Sequence, residues 1–361
     1  MARRVYLHVG LPKTGTTYLQ SICWANRDLL REQGVLLPGF GPRQHLWATG
    51  VVRQEPNLDR RAADAKHAWA ALSGEVANWP DTGLISHEFF AGASERQVAR
   101  ALVDLDPAEV HVVVTAREMV SLVTARWQEF VKNGATTPID DYPLSEDSDP
   151  HDEWGWATMD VGDVVRRWGA TLPPEQVHVL TLPKPSEPRD ALWQRFAGLV
   201  GIDPDSCDVS VSQANESLGV VEVELLRRVN AGLSGFRSPL NRGVWIRGYL
   251  AQGKLVPRGG ERFWPSAERI TELRERGERA VTELLGSGCD ILGDIDDLRT
   301  PADVSARRHP STVTDTEMLD VATSTIGQML GDVRRLSNRA RGSDQPPSLA
   351  GRLARRLGWR R

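Results

Sequence analysis

Short β-prone apolar runs alternate with longer stretches of helical spacing through roughly the first 200 residues of the chain. Val5 to Val9 stops at Gly10, and from Thr16 the apolar positions Leu19, Ile22, Cys23, Leu29 and Leu30 recur at helical spacing. The local order is strand, glycine loop, helix. Gly34 is placed to end that helix, and Gly34 to Pro38 reads as a second short strand. Asp59 to Trp79 is alanine-rich and helical in composition, Gly83 to Ser86 reads as a strand ending at His87-Glu88, and Ser94 to Leu105 as a helix. Val110 to Thr115 is nearly continuous in β-branched residues, the pattern of a strand covered on both faces. A helix from Glu118 to Lys132, an acidic loop from Asp140 to Asp152, a helix from Val161 to Trp168, a strand from Val177 to Thr181 and a helix from Arg189 to Val200 follow.

This alternation predicts an α/β fold: a three-layer parallel sheet with helices on both faces, of the P-loop NTPase-like kind, with a helical C-terminal region. Reactive loops then belong at the carboxyl ends of the strands. The expected division is one α/β domain over 1–300, whose helical C-terminal part begins near 215, then a helical extension over 301–342 and a basic amphipathic or flexible tail over 343–361. Glu222 to Leu298 reads as mostly helical, broken by a glycine- and arginine-rich stretch from Gly253 to Pro265.

Composition narrows the function classes. The formal net charge of -4 over 361 residues argues against a whole-protein nucleic-acid footprint, so any anion site is local. The 3 cysteines, Cys23, Cys207 and Cys289, lie far apart, with neither zinc-ligand nor disulfide-framework spacing. The N-terminal apolar run is too short for a signal peptide, and no run approaches the roughly 20 apolar residues of a membrane span. The expectation is a cytoplasmic protein without a metal, and of unknown oligomeric state. The basic tail is either solvated or in peripheral contact with an anionic membrane surface or a partner.

The chemistry concentrates in Gly10-Leu11-Pro12-Lys13-Thr14-Gly15-Thr16-Thr17. Its two glycines keep the spacing of the phosphate-binding loop G-x-x-x-x-G-K-[ST], between a strand and a helix where that motif belongs. Its lysine has moved: Thr16 stands where a nucleotide triphosphatase has lysine, and Lys13 precedes Gly15. Backbone N–H groups at the helix N-terminus can still hold a phosphate, with the positive charge aimed elsewhere on the ligand.

At these residues the chain resembles the sulfotransferases that use 3′-phosphoadenosine 5′-phosphosulfate (PAPS), whose loop has the form Pro-Lys-[Ser/Thr]-Gly-Thr-Thr after the first strand. The likeness extends from residue 5 to about 200 in order of elements. It implies PAPS as co-substrate, Lys13 on the oxygen that bridges phosphate and sulfur, and Gly15, Thr16 and Thr17, together with Pro12 and Thr14, around the 5′-phosphate. It implies Arg117 at the 3′-phosphate, where the family's serine eight positions later is here Ala125, so that the hydroxyl falls to Ser121 or Thr124 or is absent. A C-terminal glycine-basic loop that covers the nucleotide in the family is matched loosely by Arg258, Gly259 and Gly260.

Sulfuryl transfer needs a general base within reach of the acceptor. The resemblance points to Glu88, with His87 beside it as the alternative and His45 a third, and adjacent strand residues face opposite sides, so one of the pair faces the cleft. The acceptor is a hydroxyl or amine on a small molecule, lipid or glycan. Its recognition is expected in the acidic loop and in Trp154-Gly155-Trp156, while Trp127 reads as core. The competing readings are a magnesium- and ATP-dependent kinase-like phosphotransferase and a catalytically inactive nucleotide-binding protein.

Overall fold

The structure, a computed structural model, describes residues 2–56, 58–143, 153–184, 186–211, 217–301 and 306–343. Most of the acidic loop, 144–152, and the tail beyond 343 therefore lie outside the described residues. Six parallel strands form one sheet in the order β2-β3-β1-β4-β5-β6. They are β1 (Arg4–His8), β2 (Val35–Leu36), β3 (Thr82–Ser86), β4 (Glu109–Ala116), β5 (Val177–Thr181) and β6 (Asp290–Leu292). From β1 the chain runs out to the edge strand β2, returns to β3 and then crosses β1 to β4, β5 and β6 on the other side, so the connections leaving neighbouring β1 and β4 go opposite ways, the place where such sheets bind ligands.

Both sheet faces are covered, giving the three-layer α/β architecture. Tyr6, Leu84, Val113 and Leu180 on one face pack with Leu19, Ile22 and Cys23 of the Thr16–Ala25 helix and with Trp193 and Phe196 of the Ala191–Val200 helix. Val5, Leu7, Ile85, Val112, Val114 and Val179 are buried on the other, where the Ala68–Ala77 and Val161–Gly169 helices lie against β3, β4 and β5. Parallel strands buried on both sides need apolar residues at nearly every position, as Val110 to Val114 shows.

Five expected strands are present, and β6 was missed inside a region read as helical. It is three residues long, follows a left-handed Gly288 and pairs only with β5, too short for a period-2 signal. The first helix breaks at Asn26, whose side chain donates to the carbonyls of Ile22 and Asp208. The Pro42–Val52 helix was also missed.

The described residues form two units: those within 2–131, 137–211 and 264–307, which hold the sheet, and those within 132–136, 217–263 and 308–343. The second unit contains the Val220–Gly232 helix and a long Asp315–Ser343 helix. Helix there continues through Gly253 as a π-helix over Arg242–Leu255, and the chain breaks at the left-handed Gly259 instead. Gly243, Gly248 and Gly253 recur at the i→i+5 hydrogen-bond spacing of a π-helix; a Cβ at Gly248 would lie 3.1 Å from the Gly243 carbonyl oxygen.

Candidate active site

The loop after β1 is shaped by three left-handed residues, Gly10 (φ 80°), Lys13 (φ 69°) and Gly15 (φ 88°). Each glycine has a second reason to be glycine. A Cβ on Gly10 would lie 2.5 Å from the Glu88 Cβ, and one on Gly15 would lie 2.5 Å from the Leu192 side chain. Lys13 has no such freedom, and the left-handed region costs a non-glycine residue about 1–2 kcal/mol, so the surrounding loop must enforce it. Leu11 N–H donates to the Thr115 carbonyl and Val9 N–H to the Val113 carbonyl, fastening the loop to β4.

Gly15 caps the Thr16–Ala25 helix without a side-chain hydrogen bond, and the first turn holds no acidic residue. The N–H groups of that turn are thus left to an anion, the arrangement the helix dipole favours. Thr17 is exposed there, whereas Thr16 is buried and can offer only its backbone. Pro12 and Thr14 are buried too. The Thr14 hydroxyl donates to the Leu11 carbonyl at 2.5 Å and lies 2.6 Å from the Thr115 hydroxyl. Its side chain therefore braces the loop instead of facing a ligand.

Lys13 is partly exposed, and its ammonium donates to a carboxylate oxygen of buried Glu129 at 2.8 Å. Glu129 was not anticipated. It stands on the Met119–Lys132 helix one and two turns beyond Ala125 and Ser121, so that one helix face, the one the 3′-phosphate expectation used, turns toward the loop. Glu118 accepts from the N–H groups of Val120 and Ser121 and so caps this helix. Thr124 donates back to the Val120 carbonyl, and Ser121 is half-buried at the helix start. Arg117 is half-buried immediately past β4.

The two adjacent base candidates separate cleanly. His87 Nδ1 accepts the Phe89 N–H at 3.1 Å, capping the short 3-10 turn Glu88–Gly92. That role places its ring proton on Nε2. Burial lowers the His87 pKa; Glu88 opposes this and Arg53 reinforces it. Glu88 instead lies against Gly10, and its carboxylate accepts from the Gln20 amide at 3.1 Å. Burial alone would raise that carboxyl, but His87, the backbone N–H and Gln20 outweigh it and hold it below the ordinary carboxylate range. Glu88 is therefore ionised at neutral pH and able to accept a proton.

His45 is fully buried with both nitrogens engaged: Nε2–H donates to the Pro38 carbonyl at 2.9 Å, and Nδ1 accepts the Ser86 N–H at 3.1 Å. It locks one neutral tautomer and meets no substrate, which removes it as a base.

A residue that sequence reasoning passed over lies between the loop and Glu88. His8 ends β1, is completely buried, and has its pKa lowered to about 4, chiefly by burial, with Glu88 opposing and His87 adding. Register sets it opposite Ser86; Nδ1 lies 2.8 Å from the Ser86 hydroxyl and Nε2 3.4 Å from the Thr115 hydroxyl. Thr115 continues to Thr14, and Gln20 spans Ser86 at 3.4 Å and Glu88. A hydrogen-bonded chain thus runs from the glycine loop across β4, β1 and β3 to the carboxylate. The available signal was a histidine ending an otherwise apolar strand just before the loop.

Trp127 is core, as expected, with its indole N–H on the Thr137 carbonyl. Trp156 is buried beneath Arg276, whose guanidinium lies 3.8 Å from the ring centroid. It therefore offers an acceptor no surface, whereas Trp154 of the same segment is half-buried. Arg258, Gly259 and Gly260 belong to the second unit, where Arg258 pairs with Glu222 at 3.5 Å and donates to Ser324 at 3.0 Å. Close packing of Gly260 on Gly219, 2.7 Å from a Cβ placed at 260 to the Gly219 Cα, accounts for the glycine locally. Among the described residues no three histidine, cysteine or carboxylate side chains gather where a metal ion could sit, and no helix is long and apolar enough to cross a membrane.

No protein-family model matches the chain, and no curated protein does. Among solved structures, a sulfotransferase from Alicyclobacillus acidocaldarius is similar over 64% of this chain and 94% of its own, with 16% identity and a TM-score of 0.37. At that TM-score the likeness decides nothing about activity.

Proposed function

We propose that the chain transfers the sulfuryl group of PAPS to an acceptor hydroxyl or amine. The observation that carries the reading is the placement of Glu88 directly against Gly10 of a loop whose lysine precedes, rather than follows, its second glycine. The uncapped helix start at Gly15 to Thr17 suits the 5′-phosphate. Arg117 and Ser121, at the end of the neighbouring strand and the start of its helix, suit the 3′-phosphate. Lys13, beside the uncapped helix start and carrying a positive charge, suits the charge that develops on the leaving phosphate.

In the reaction the acceptor oxygen or nitrogen attacks sulfur, the bond from sulfur to the bridging oxygen breaks, and its electron pair stays with the departing nucleotide 5′-phosphate. Lys13 stabilises that charge, and the Glu88 carboxylate takes the acceptor's proton. Glu129 holds the Lys13 ammonium in place before substrate arrives. Positioning and charge stabilisation do most of the work, as in phosphoryl transfer.

The test is transfer of label from sulfur-labelled PAPS across panels of glycan, lipid and phenolic acceptors, with ATP and magnesium as the competing donor. Labelled product that disappears in Glu88→Gln supports the reading. Phosphoryl transfer from ATP, with no sulfuryl product on any panel, would overturn it.

A further inference from the structure

The Asp315–Ser343 helix buries one face and exposes another. Met318, Val321 and Thr325 are buried within the second unit, where the helix packs against Val220–Gly232. Leu319, Ile326, Met329, Leu330, Val333 and Leu336 are between 36% and 64% exposed. Their spacing is a heptad: Leu319, Ile326 and Val333 at one core position, Ala322, Met329 and Leu336 at the other. An average period of 3.5 is the signature of a seam between two helices. No charge interrupts it, because the neighbouring Asp332 is drawn aside by the Tyr249 hydroxyl at 2.9 Å and the Lys254 ammonium at 2.6 Å.

We propose that this strip pairs with the same strip of a second copy of the chain, the two helices antiparallel about a twofold axis. Antiparallel coiled helices layer one core position on the other, and a single register does this throughout: Leu319 on Leu336, Ala322 on Val333, Ile326 on Met329, each repeated by symmetry. Charge selects the same direction. Acidic residues (Asp315, Glu317, Asp320) crowd the first turns and arginines (Arg334, Arg335, Arg339) the last ones, so antiparallel copies bring the acidic end of one helix alongside the basic end of the other. Asp315, Glu317 and Arg335 also pair within their own unit, which leaves the preference modest. Helix dipoles add to it.

The exposed strip is several hundred Å² per copy, already large for a monomer surface, and two copies together cover about 1,200 Å², the lower edge of stable interfaces. A membrane fits less well. Interfacial helices carry a polar face rich in lysine and arginine, whereas this helix begins acidic, with Asp315 and Glu317 in its first turn.

Sedimentation of the full chain over a wide concentration range should give a two-copy mass. Ile326→Asp should raise the dissociation constant by about a hundredfold while leaving circular dichroism and nucleotide binding as in the parent. Direction is read by cross-linking in a Cys289→Ser background. Leu319→Cys alone should stay unlinked under oxidation, whereas a mixture of Leu319→Cys and Leu336→Cys chains should form a linked pair; this readout stands even if Ile326→Asp folds poorly. A one-copy mass at every concentration, a dimer indifferent to Ile326→Asp, self-linking of Leu319→Cys, or a monomer that sediments with anionic vesicles through this helix would each overturn the proposal.

Discussion

Two hydrogen-bonded chains of side chains cross the same face of the sheet, one at each end of its strands. At the amino ends, Glu109 meets His111 at 3.1 Å, His111 meets His178 at 2.8 Å, and His178 meets Asp290 at 2.8 Å. At the carboxyl ends, Gln20, Ser86, His8, Thr115 and Thr14 form the other. Both use histidine as a two-handed connector. The first finishes in carboxylates that are half exposed and ties strand to strand. The second is buried and finishes at one end in the glycine loop and at the other, through Gln20, in Glu88. In a parallel sheet the loops that can be varied for chemistry all leave from the carboxyl ends. The same residue type thus ties strand to strand at one edge and links the glycine loop toward Glu88 at the other.

Substitutions can break this contrast in order of expected effect. Lys13→Ala should lower sulfuryl transfer by about a thousandfold, the scale of removing a donor from developing negative charge, with a smaller change in nucleotide affinity; steady-state kinetics and calorimetry separate the two. Glu88→Gln should lower kcat by about a hundredfold or more and leave the affinity for 3′-phosphoadenosine 5′-phosphate within a few-fold. Equal loss of nucleotide binding in both variants would mean that Glu88 holds the donor.

His8→Asn should then lower kcat by about tenfold, through displacement of the loop and carboxylate, with KM for donor changed less. His8→Gln, whose longer amide reaches the place of Nε2 beside the Thr115 hydroxyl, should recover part of the rate. His111→Gln, at the opposite edge, should leave kcat unchanged and cost less than about 1 kcal/mol in denaturant unfolding. If the His8 and His111 variants behaved alike, the distinction between the edges would fail.

A pH titration of stability sharpens the same point. His8 and His45 both have pKa values lowered to about 4, chiefly by burial. A group depressed on folding contributes stability above its unfolded pKa and loses it as pH falls toward the folded value. The chain should therefore lose thermal stability between about pH 6.5 and pH 4, by roughly 3 kcal/mol for each of the two histidines. His8→Asn should flatten part of that slope.

The parallel sheet was legible because strands buried on both faces are written as unbroken apolar runs, and Val110 to Thr115 could be little else. The loop was legible because Gly10 and Gly15 are required by backbone conformation and by close approach, constraints that leave residues of one type at fixed spacing. Glu88 was singled out by the family resemblance at a strand end, and packing adds its contact with Gly10. Glu129, Gln20, Ser86 and Thr115 were not found, because they act through contacts between residues 66 to 116 positions apart. Nothing local marks such contacts. Thr14 and Trp156 show the converse: sequence position suggested a ligand-facing side chain, and packing turned each inward.

The central claim is that the loop with Lys13 before Gly15 receives PAPS and not a nucleoside triphosphate. Isothermal titration of the full chain with 3′-phosphoadenosine 5′-phosphate in the absence of metal, set against ATP with magnesium, tests it most directly. Saturable one-to-one binding of the former, lost in Gly10→Ala, which would drive a Cβ into Glu88, is the predicted result. Binding of ATP with magnesium alone, or equal binding of 3′-phosphoadenosine 5′-phosphate by Gly10→Ala, would contradict it.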